Sequence, residues 1–196
     1  MFGSALLDTG EHTARPWRIH EIAKDFRVLD VWALPTPGGP DDFPRLVRLM
    51  TTFDPAETSV VVRALFAIRF TLGRLFGLDS QETGLGARVP SLRDRLPSDL
   101  ADPPSDLDTD LFTPLYLTHD EFALEIANQT VHGLMHIGWV PDRTGGYRGQ
   151  MAILVKPNGA LGAAYLMAIA PFRHLIVYPL MMRDIGRAWS QTGAPR

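Results

Sequence analysis

The sequence of 196 residues contains no cysteine. This absence excludes a disulfide scaffold, a cysteine-ligated zinc site and a cysteine nucleophile. A chain of this length can bury a core without such cross-links, so we expect one folded domain. Lysine is also scarce, with Lys24 and Lys156 standing against 17 arginines. The net charge of −3 gives the chain no general attraction to nucleic acid or to an anionic membrane.

Several other signals are missing from the sequence. Residues 1–10 contain no basic run followed by an apolar core, so no secretory signal is predicted and a cytoplasmic location is expected. The chain also lacks a nucleophile elbow, a phosphate loop and a dinucleotide fingerprint. The sequence therefore predicts no cofactor.

One apolar stretch is long enough to cross a membrane. It covers the 24 residues from Gly159 to Met182. Arg173 and His174 lie near its middle, where a charge is costly in lipid, and Pro171 and Pro179 each remove a backbone donor. We therefore interpret the stretch as a buried or half-buried terminal helix and predict no transmembrane segment.

Hydrophobic periodicity predicts an α+β domain over residues 15–190, between flexible tails at 1–14 and 191–196. The predicted elements are, in chain order, a short helix (17–24), a strand (27–34), two helices (43–53 and 57–76), a long loop (78–110), four antiparallel strands (111–117, 121–127, 131–140 and 147–155) and a terminal helix from 159 to about 189. The loop carries a helical turn near Leu92 and is either a lid or a solvated connection. A capping box at Thr118–Glu121 leaves a helix over 121–127 as an alternative.

His132 and His136 are the first candidates for chemistry. On a helix, this spacing would bring both rings to one metal, but on a strand four residues span about 13 Å at roughly 3.3 Å each. The predicted strand therefore argues against a shared metal ion.

A two-residue turn at Asn128–Gln129 would place Glu125 opposite His132 and Glu121 opposite His136. Each glutamate could then orient a histidine for acid/base catalysis, which makes His132, His136 and Glu125 candidate catalytic residues. The same pairs could be cross-strand ion pairs on a solvated face, and we favour that structural interpretation.

A second set of polar side chains could bind a ligand. Arg173 and His174 lie within the apolar terminal helix, where they either find satisfied partners in the core or supply polar contacts in a pocket. The candidate ligand-binding residues are Tyr116, Gln150, Met151, Tyr165, Arg173, His174 and Tyr178.

The order of elements resembles the START-like helix-grip superfamily (SRPBCC), which includes polyketide cyclases and lipid carriers. Six strings also resemble the domain of unknown function 2867 family: RPWRIH (15–20), DVWALP (30–35), VHGLMH (131–136), YRGQM (147–151), KPNG (156–159) and PFRHLIVYP (171–179). The resemblance covers about residues 14–189. It implies a curved antiparallel sheet wrapped around a long C-terminal helix, with two helices after the first strand, and it carries over no catalytic residue.

These observations lead to three hypotheses. The first is a protein that binds an apolar or amphipathic small molecule in a cavity between the sheet and the C-terminal helix. The second is an enzyme of cyclase, dehydratase or isomerase type that uses the same cavity, with His132, His136 or His174 as acid/base. The third, weaker hypothesis is a module that docks a partner or a membrane surface through the apolar helix. No nucleic-acid partner is expected, and a homodimer stays open.

Overall fold

The structure, a computed structural model, describes residues 5–52, 89–100, 112–127 and 131–192 and shows an α+β fold. The elements before the first gap are β1 (Leu6–Leu7), α1 (Gly10–Thr13), α2 (Ile19–Ile22), β2 (Arg27–Ala33) and α3 (Phe43–Thr52). Two 3₁₀ turns follow, at Leu92–Arg95 and Ser98–Leu100. The later elements are β3 (Thr113–Leu117), β4 (Glu121–Ala127), β5 (Val131–Pro141), β6 (Tyr147–Pro157), α4 (Gly159–Phe172), a π-helical turn (Arg173–Val177) and α5 (Tyr178–Thr192).

The strands form one antiparallel sheet of six strands in the order β1-β2-β6-β5-β4-β3. Its centre is the long hairpin of β5 and β6, which pair from Val131 opposite Pro157 to Pro141 opposite Tyr147. The carboxylate of Asp142 shapes the hairpin loop by accepting hydrogen bonds from the backbone of Thr144 and of Gly146. The meander thus places β4, β5 and β6 side by side.

Both faces of the sheet are covered, because side chains alternate between two hydrophobic cores. On the first face, α3 and α5 pack against residues such as Trp32, Phe122 and Met151. On the second face, α2 and its neighbouring residues pack against residues such as Val31 and Leu134. The two 3₁₀ turns pack against the same core. We refer below to the first face and the second face in this sense.

Most predicted elements inside the described ranges are confirmed. The strand alternation of residues 121–127 gives β4, so the helical alternative is wrong, and the predicted turn near Leu92 is present. The structure differs at the predicted flexible tail, because Leu6–Leu7 pairs with β2 and Gly10–Thr13 forms α1. The predicted helix at 57–76 and most of the predicted loop at 78–110 lie outside the described residues.

The terminal helix changes character along its length. Its first part, α4, exposes large apolar side chains, and the exposed fraction reaches 70% at Met167 and 56% at Phe172. Between Pro171 and Pro179 the helix forms the π-helical turn Arg173–Val177, a local widening that is frequent at functional sites. The second part, α5, buries one stripe of side chains, including Ile185 and Trp189, against the first face.

In the described part of the chain, one helical run, Gly162–Thr192, is long and apolar enough to cross a membrane. Length and composition are the sole basis of that statement, and the core helix of a soluble protein meets the same criterion. The finding is therefore weak evidence in either direction.

Gly138 of β5 provides a test of the packing on the second face. A Cβ atom there would lie 2.6 Å from Cζ2 and 2.7 Å from Cη2 of Trp17, which is itself buried. We expect Gly138→Ala to lower the free energy of unfolding by about 1–3 kcal/mol, as overpacking of a core does. Gly133→Ala is the matched control on the same strand, because its Cβ would meet nothing closer than Cγ2 of Ile126 at 3.4 Å. Urea denaturation measures both, and equal effects would contradict the packing described here.

Candidate functional site

Two histidines of β5 hydrogen-bond to two glutamates of β4 on the second face. Nε2 of His132 lies 2.6 Å from Oε1 of Glu125, and Nε2 of His136 lies 2.8 Å from Oε2 of Glu121. All four residues are buried, with exposed fractions of 3% or less. Both Glu–His contacts predicted from the sequence are therefore present.

The register behind these contacts differs from the predicted one. His132 lies opposite Ala127, and Glu125 lies opposite Leu134, so the pairing is shifted by two residues. The predicted turn residues 128–129 lie outside the described ranges. Because side chains repeat every two residues along a strand, a shift of two keeps each side chain on its face. The glutamates then reach the histidines diagonally, over a distance that long side chains can bridge.

The prediction that these pairs occupy a solvated face is wrong. The segment from α1 to Phe26 and the segment 89–100 cover them, and the ring of Phe26 contacts that of His132 edge-on at 4.8 Å. A buried carboxylate requires strong hydrogen-bond partners, so we expect both oxygens of each glutamate to accept hydrogen bonds.

Glu125 attaches the segment 89–100 to the sheet. Its Oε2 accepts a hydrogen bond from the hydroxyl of Ser91 at 2.6 Å, and its Oε1 accepts one from the backbone N–H of Leu92 at 2.8 Å. Burial raises the pKa of Glu125, but the hydrogen bonds from His132, Ser91 and Leu92 outweigh burial and hold the pKa below its ordinary value. The carboxylate is thus ionised and fully engaged.

Glu121 attaches the N-terminal segment in the same way. Its Oε1 accepts from the backbone N–H of Arg18 at 2.9 Å, and its Oε2 accepts from the hydroxyl of Tyr116 at 3.0 Å as well as from His136. Burial raises the pKa of Glu121, and these donors more than reverse the effect, so its pKa is also lowered. Burial and the neighbouring carboxylate raise the pKa of Tyr116 far above its usual range, so this hydroxyl keeps its proton.

A third histidine, His12 of α1, extends the second pair. Its Nε2 lies 3.1 Å from Nδ1 of His136, and the residue is fully buried. Because ionised Glu121 can only accept, Nε2 of His136 donates to it. Burial lowers the pKa of His136, so this ring is neutral and its Nδ1 accepts from Nε2 of His12. These assignments leave Nδ1 of His12 as a buried acceptor without a partner.

His12 is held neutral by its surroundings. Burial lowers its pKa to about 2, and electrostatic interactions with His136, His20 and Arg15 lower it further. Sequence reasoning missed this residue because nothing in the polar stretch around it predicts an ordered, buried position. The only signal available was its residue type.

The arrangement of these groups favours an anchoring role. Both ring nitrogens of His136 are engaged, and each carboxylate accepts at least three hydrogen bonds. An acid/base residue needs reach to a substrate proton. Among the described residues, we find no open route by which a substrate proton would reach His132, His136 or Glu125. Their catalytic role therefore stays a prediction.

A separate polar cluster lies on the first face, where β2 meets the π-helical turn. Asp30 of β2 is buried, and its Oδ2 accepts from the guanidinium of Arg173 at 2.6 Å. Nε2 of His174 lies 2.9 Å from Oδ1, and the hydroxyl of Tyr178 lies 3.5 Å from Oδ2. Asp30 was missed in the sequence, although a single carboxylate in an otherwise apolar strand was an available signal.

Aromatic and apolar side chains surround this cluster. The ring of Trp32 lies 4.4 Å from that of Tyr178 and 5.8 Å from that of His174. Met151 lies directly opposite Trp32 in the sheet and is fully buried. Burial raises the pKa of Tyr178 above its usual range; the charge of Arg173 opposes this effect, and the carboxylate of Asp30 adds to it.

The predicted ligand-binding residues therefore divide into two groups. Met151, Arg173, His174 and Tyr178 are together on the first face, whereas Tyr116 and Gln150 lie on the second face. The side chain of Tyr165 lies outside what the structure describes. Nε of Arg173 and both amide atoms of Gln150 are buried without a hydrogen-bond partner.

An open pocket of about 610 Å³ lies at one end of the sheet. The pocket is formed by the N-terminal segment, the turn before β4 and the ends of β5 and β6, and its lining residues are Arg15, Pro16, Trp17, Arg18, Pro40, Thr118, His119, Asp120, Glu121, Trp139, Pro141 and Tyr147. The pocket is next to the second Glu–His pair through Glu121. It was not anticipated from the sequence.

Within the four described ranges, no three histidine or acidic side chains converge closely enough to hold a metal ion. His132 and His136 each face a glutamate of the neighbouring strand instead of one another.

Comparison with known families adds one finding. A family model described as "Protein of unknown function (DUF2867)" matches residues 22–180. The chain belongs to the DUF2867 family. No curated protein matches the chain, and no solved structure matches it. The function of this DUF2867 protein therefore has to be argued from its own site geometry.

The neutral state of His12 predicts loss of stability in acid. Its folded-state pKa of about 2 lies below the ordinary 6.5, so below pH 6.5 the unfolded chain takes up a proton that the folded DUF2867 protein does not. The stabilisation is complete above that pH and falls by about 1.4 kcal/mol per unit on acidification. We expect the free energy of unfolding to drop by about 2 kcal/mol between pH 6.5 and pH 5 from this group alone. Urea denaturation across this range measures it.

The controls for this prediction are two glutamine variants. In His12→Gln the amide can still donate to His136 but does not titrate, so the decline with acid should become shallower. His119→Gln, whose parent side chain is 90% exposed, should keep the wild-type slope. A His12→Gln slope equal to that of the wild type would show that His12 is not held neutral.

The anchoring role of Glu125 gives a second prediction. Glu125→Gln removes a buried negative charge that accepts hydrogen bonds from three donors. The NH₂ group of the new glutamine would face those donors and could not accept from them. We expect a loss of about 2–4 kcal/mol in the free energy of unfolding, with faster amide exchange at Leu92 and its neighbours. Glu21→Gln, at a side chain that is 64% exposed, is the control. Unchanged exchange in the segment 89–100 would argue that Glu125 does not hold it.

Proposed function

We propose that this DUF2867 protein binds an amphipathic small molecule between the antiparallel sheet and the C-terminal helix, in the manner of START-like helix-grip proteins. The six-stranded antiparallel sheet and the long C-terminal helix on its first face support this proposal. The START-like relationship is part of the proposal, because the family match itself describes no activity.

The observation that carries the proposal is the state of Arg173. Its guanidinium pairs with Asp30 through one nitrogen, while its Nε is buried and has no partner. A buried donor left without an acceptor costs about 1–3 kcal/mol, and a bound ligand that offers an oxygen would recover that cost. We therefore assign to Arg173 the recognition of a hydrogen-bond acceptor on the ligand.

The charge of the cluster indicates which acceptor is favoured. Asp30 and Arg173 compensate one another, so this buried ion pair has no net charge. A carbonyl, ester or hydroxyl oxygen would satisfy Nε without adding an uncompensated charge to a buried site. The expected head group is therefore polar and uncharged.

The apolar part of the ligand has suitable surroundings. Trp32 and Met151 lie beside the cluster, and Met167, Phe172 and Leu175 on the helix are exposed to 70%, 56% and 77%. Exposed apolar groups at this density mark binding surfaces in soluble proteins. An apolar ligand body that lies along this helix would remove them from water.

A specific observation also favours the enzymatic alternative at the same place. The side chain of His174 is 32% exposed, and its Nε2 donates to the buried carboxylate of Asp30. This arrangement orients the ring and leaves Nδ1 as the proton acceptor, as in a histidine acid/base unit. His174 is thus the histidine that we assign to any cyclase, dehydratase or isomerase activity. Partner docking through α4 is the third proposal, and cytoplasmic location stays a prediction of the sequence.

The binding proposal is tested with the full chain. Native mass spectrometry of freshly purified protein should show a retained ligand, and the neutral dye Nile red, which carries a carbonyl acceptor, should gain fluorescence on binding. The double variant Asp30→Asn/Arg173→Met removes the guanidinium without leaving a buried charge unpaired. We expect it to weaken Nile red binding about tenfold, the value of one hydrogen bond to a charged donor.

Arg187→Met is the matched control, because this side chain of α5 is 65% exposed and lies outside the cluster. Equal dye affinity in the double variant and the control would contradict the role of Arg173. For the enzymatic alternative, conversion of the retained ligand should stop in His174→Gln while its binding persists. A His174→Gln protein that still converts the ligand would exclude His174 as the acid/base.

A further inference from the structure

We propose that the open pocket at the end of the sheet is a second binding site and that it binds a small planar aromatic molecule that carries a single carboxylate. Its volume of about 610 Å³ lies within the usual range for small-molecule sites, about 300–1,000 Å³. The residues that line this pocket do not include those of the cluster around Asp30, so the two proposals are independent of each other.

The walls of the pocket are aromatic and held in place. The rings of Trp139 and Tyr147 are nearly parallel, with an interplanar angle of 15° and centroids 6.4 Å apart. Nε1 of Trp139 donates to the carbonyl of Gly39 at 3.0 Å, and Trp17 is fixed by its close approach to Gly138. Rigid aromatic walls favour a flat ring, because stacking gains contact area without ordering flexible side chains.

Two of the charged residues that line the pocket, Arg18 and Glu121, are engaged by partners. Arg18 binds Asp99, and Glu121 accepts the hydrogen bonds described above. Arg15 is half-buried, and Cζ of its guanidinium lies 5.9 Å from the centroid of the Trp17 ring. No described carboxylate forms an ion pair with Arg15. A guanidinium beside an aromatic wall is suited to a ligand carboxylate, which it can bind through two hydrogen bonds.

Arg148 strengthens the preference for an anion. It follows Tyr147 in the chain, and its guanidinium donates to the carbonyl of Gly149. Burial lowers the pKa of Arg148, the carboxylate of Glu11 opposes this effect, and the positive charge of Arg15 lowers the pKa further, as repulsion between two guanidiniums does. A carboxylate bound at Arg15 would reduce that repulsion.

Asp120 sets the limit on ligand charge. Its carboxylate also lines the pocket, where it accepts from the hydroxyl of Thr118 at 3.1 Å and lies 3.5 Å from Nδ1 of His119. A second negative charge on the ligand would meet this carboxylate in a partly enclosed space. One carboxylate on a ring system of one or two rings therefore agrees with both the charges and the volume.

The test compares three probes on the full chain by isothermal titration and by the indole N–H resonances of Trp17 and Trp139. The probes are 1-naphthoate, the uncharged 1-naphthalenemethanol with the same rings, and acetate with the same charge and no ring. We expect 1-naphthoate to bind at least about tenfold more tightly than 1-naphthalenemethanol, and acetate not to shift the indole resonances. Equal affinity of the two naphthalene probes, or no binding of 1-naphthoate at about 1 mM, would overturn the proposal.

Variants locate the effect. Arg15→Gln should abolish the preference for 1-naphthoate, whereas Arg15→Lys should retain part of it and Arg27→Gln, at an exposed arginine of β2, should retain all of it. The Asp30→Asn/Arg173→Met protein should bind 1-naphthoate as the wild type does, which separates this site from the helix-side site. Undiminished preference in Arg15→Gln, or occupancy by a proline-rich peptide that 1-naphthoate fails to displace, would refute the assignment.

Discussion

The burial of two ionised glutamates against the second face is the constraint on which the rest of this structure depends. A carboxylate taken out of water has to recover its solvation through hydrogen bonds, and the sheet alone offers His132 to Glu125, and His136 and Tyr116 to Glu121. The remaining donors come from Ser91, Leu92 and Arg18 in the covering segments. Removing either covering segment would leave a charge unsatisfied, so these segments and the sheet form together.

This arrangement explains why an antiparallel sheet is covered on both faces. The C-terminal helix and α3 bury the apolar residues of the first face, while the second face is closed by short helical segments whose apolar residues include Trp17, Ile19 and Leu92. Hydrogen bonds to buried carboxylates supplement the hydrophobic contacts there. The position of His12 follows from the same network, because His136 needs a donor for its second ring nitrogen.

The consequence for function is a separation of roles. The glutamate and histidine pairs, which carry the most evident chemical side chains in the sequence, hold the fold together. Groups with unused binding capacity lie elsewhere, at the buried Nε of Arg173 on the first face and at Arg15 in the pocket at the end of the sheet. In both places an arginine lies beside a tryptophan or tyrosine, an arrangement that suits the proposed ligands because it combines a polar contact with a flat apolar wall.

The sequence by itself determined most of the described elements, although not β1 and α1, and the facing of their side chains. Alternation placed His132 and His136 on one side of β5, and it placed Glu121 and Glu125 on the same side of β4, because side-chain direction in a strand depends only on local backbone geometry. The tertiary structure decided three other matters: the register of β4 on β5, the burial of that face, and the partners Asp30 and His12. Each depends on segments distant in the chain meeting the sheet, and no local pattern encodes which distant donor will satisfy a buried charge.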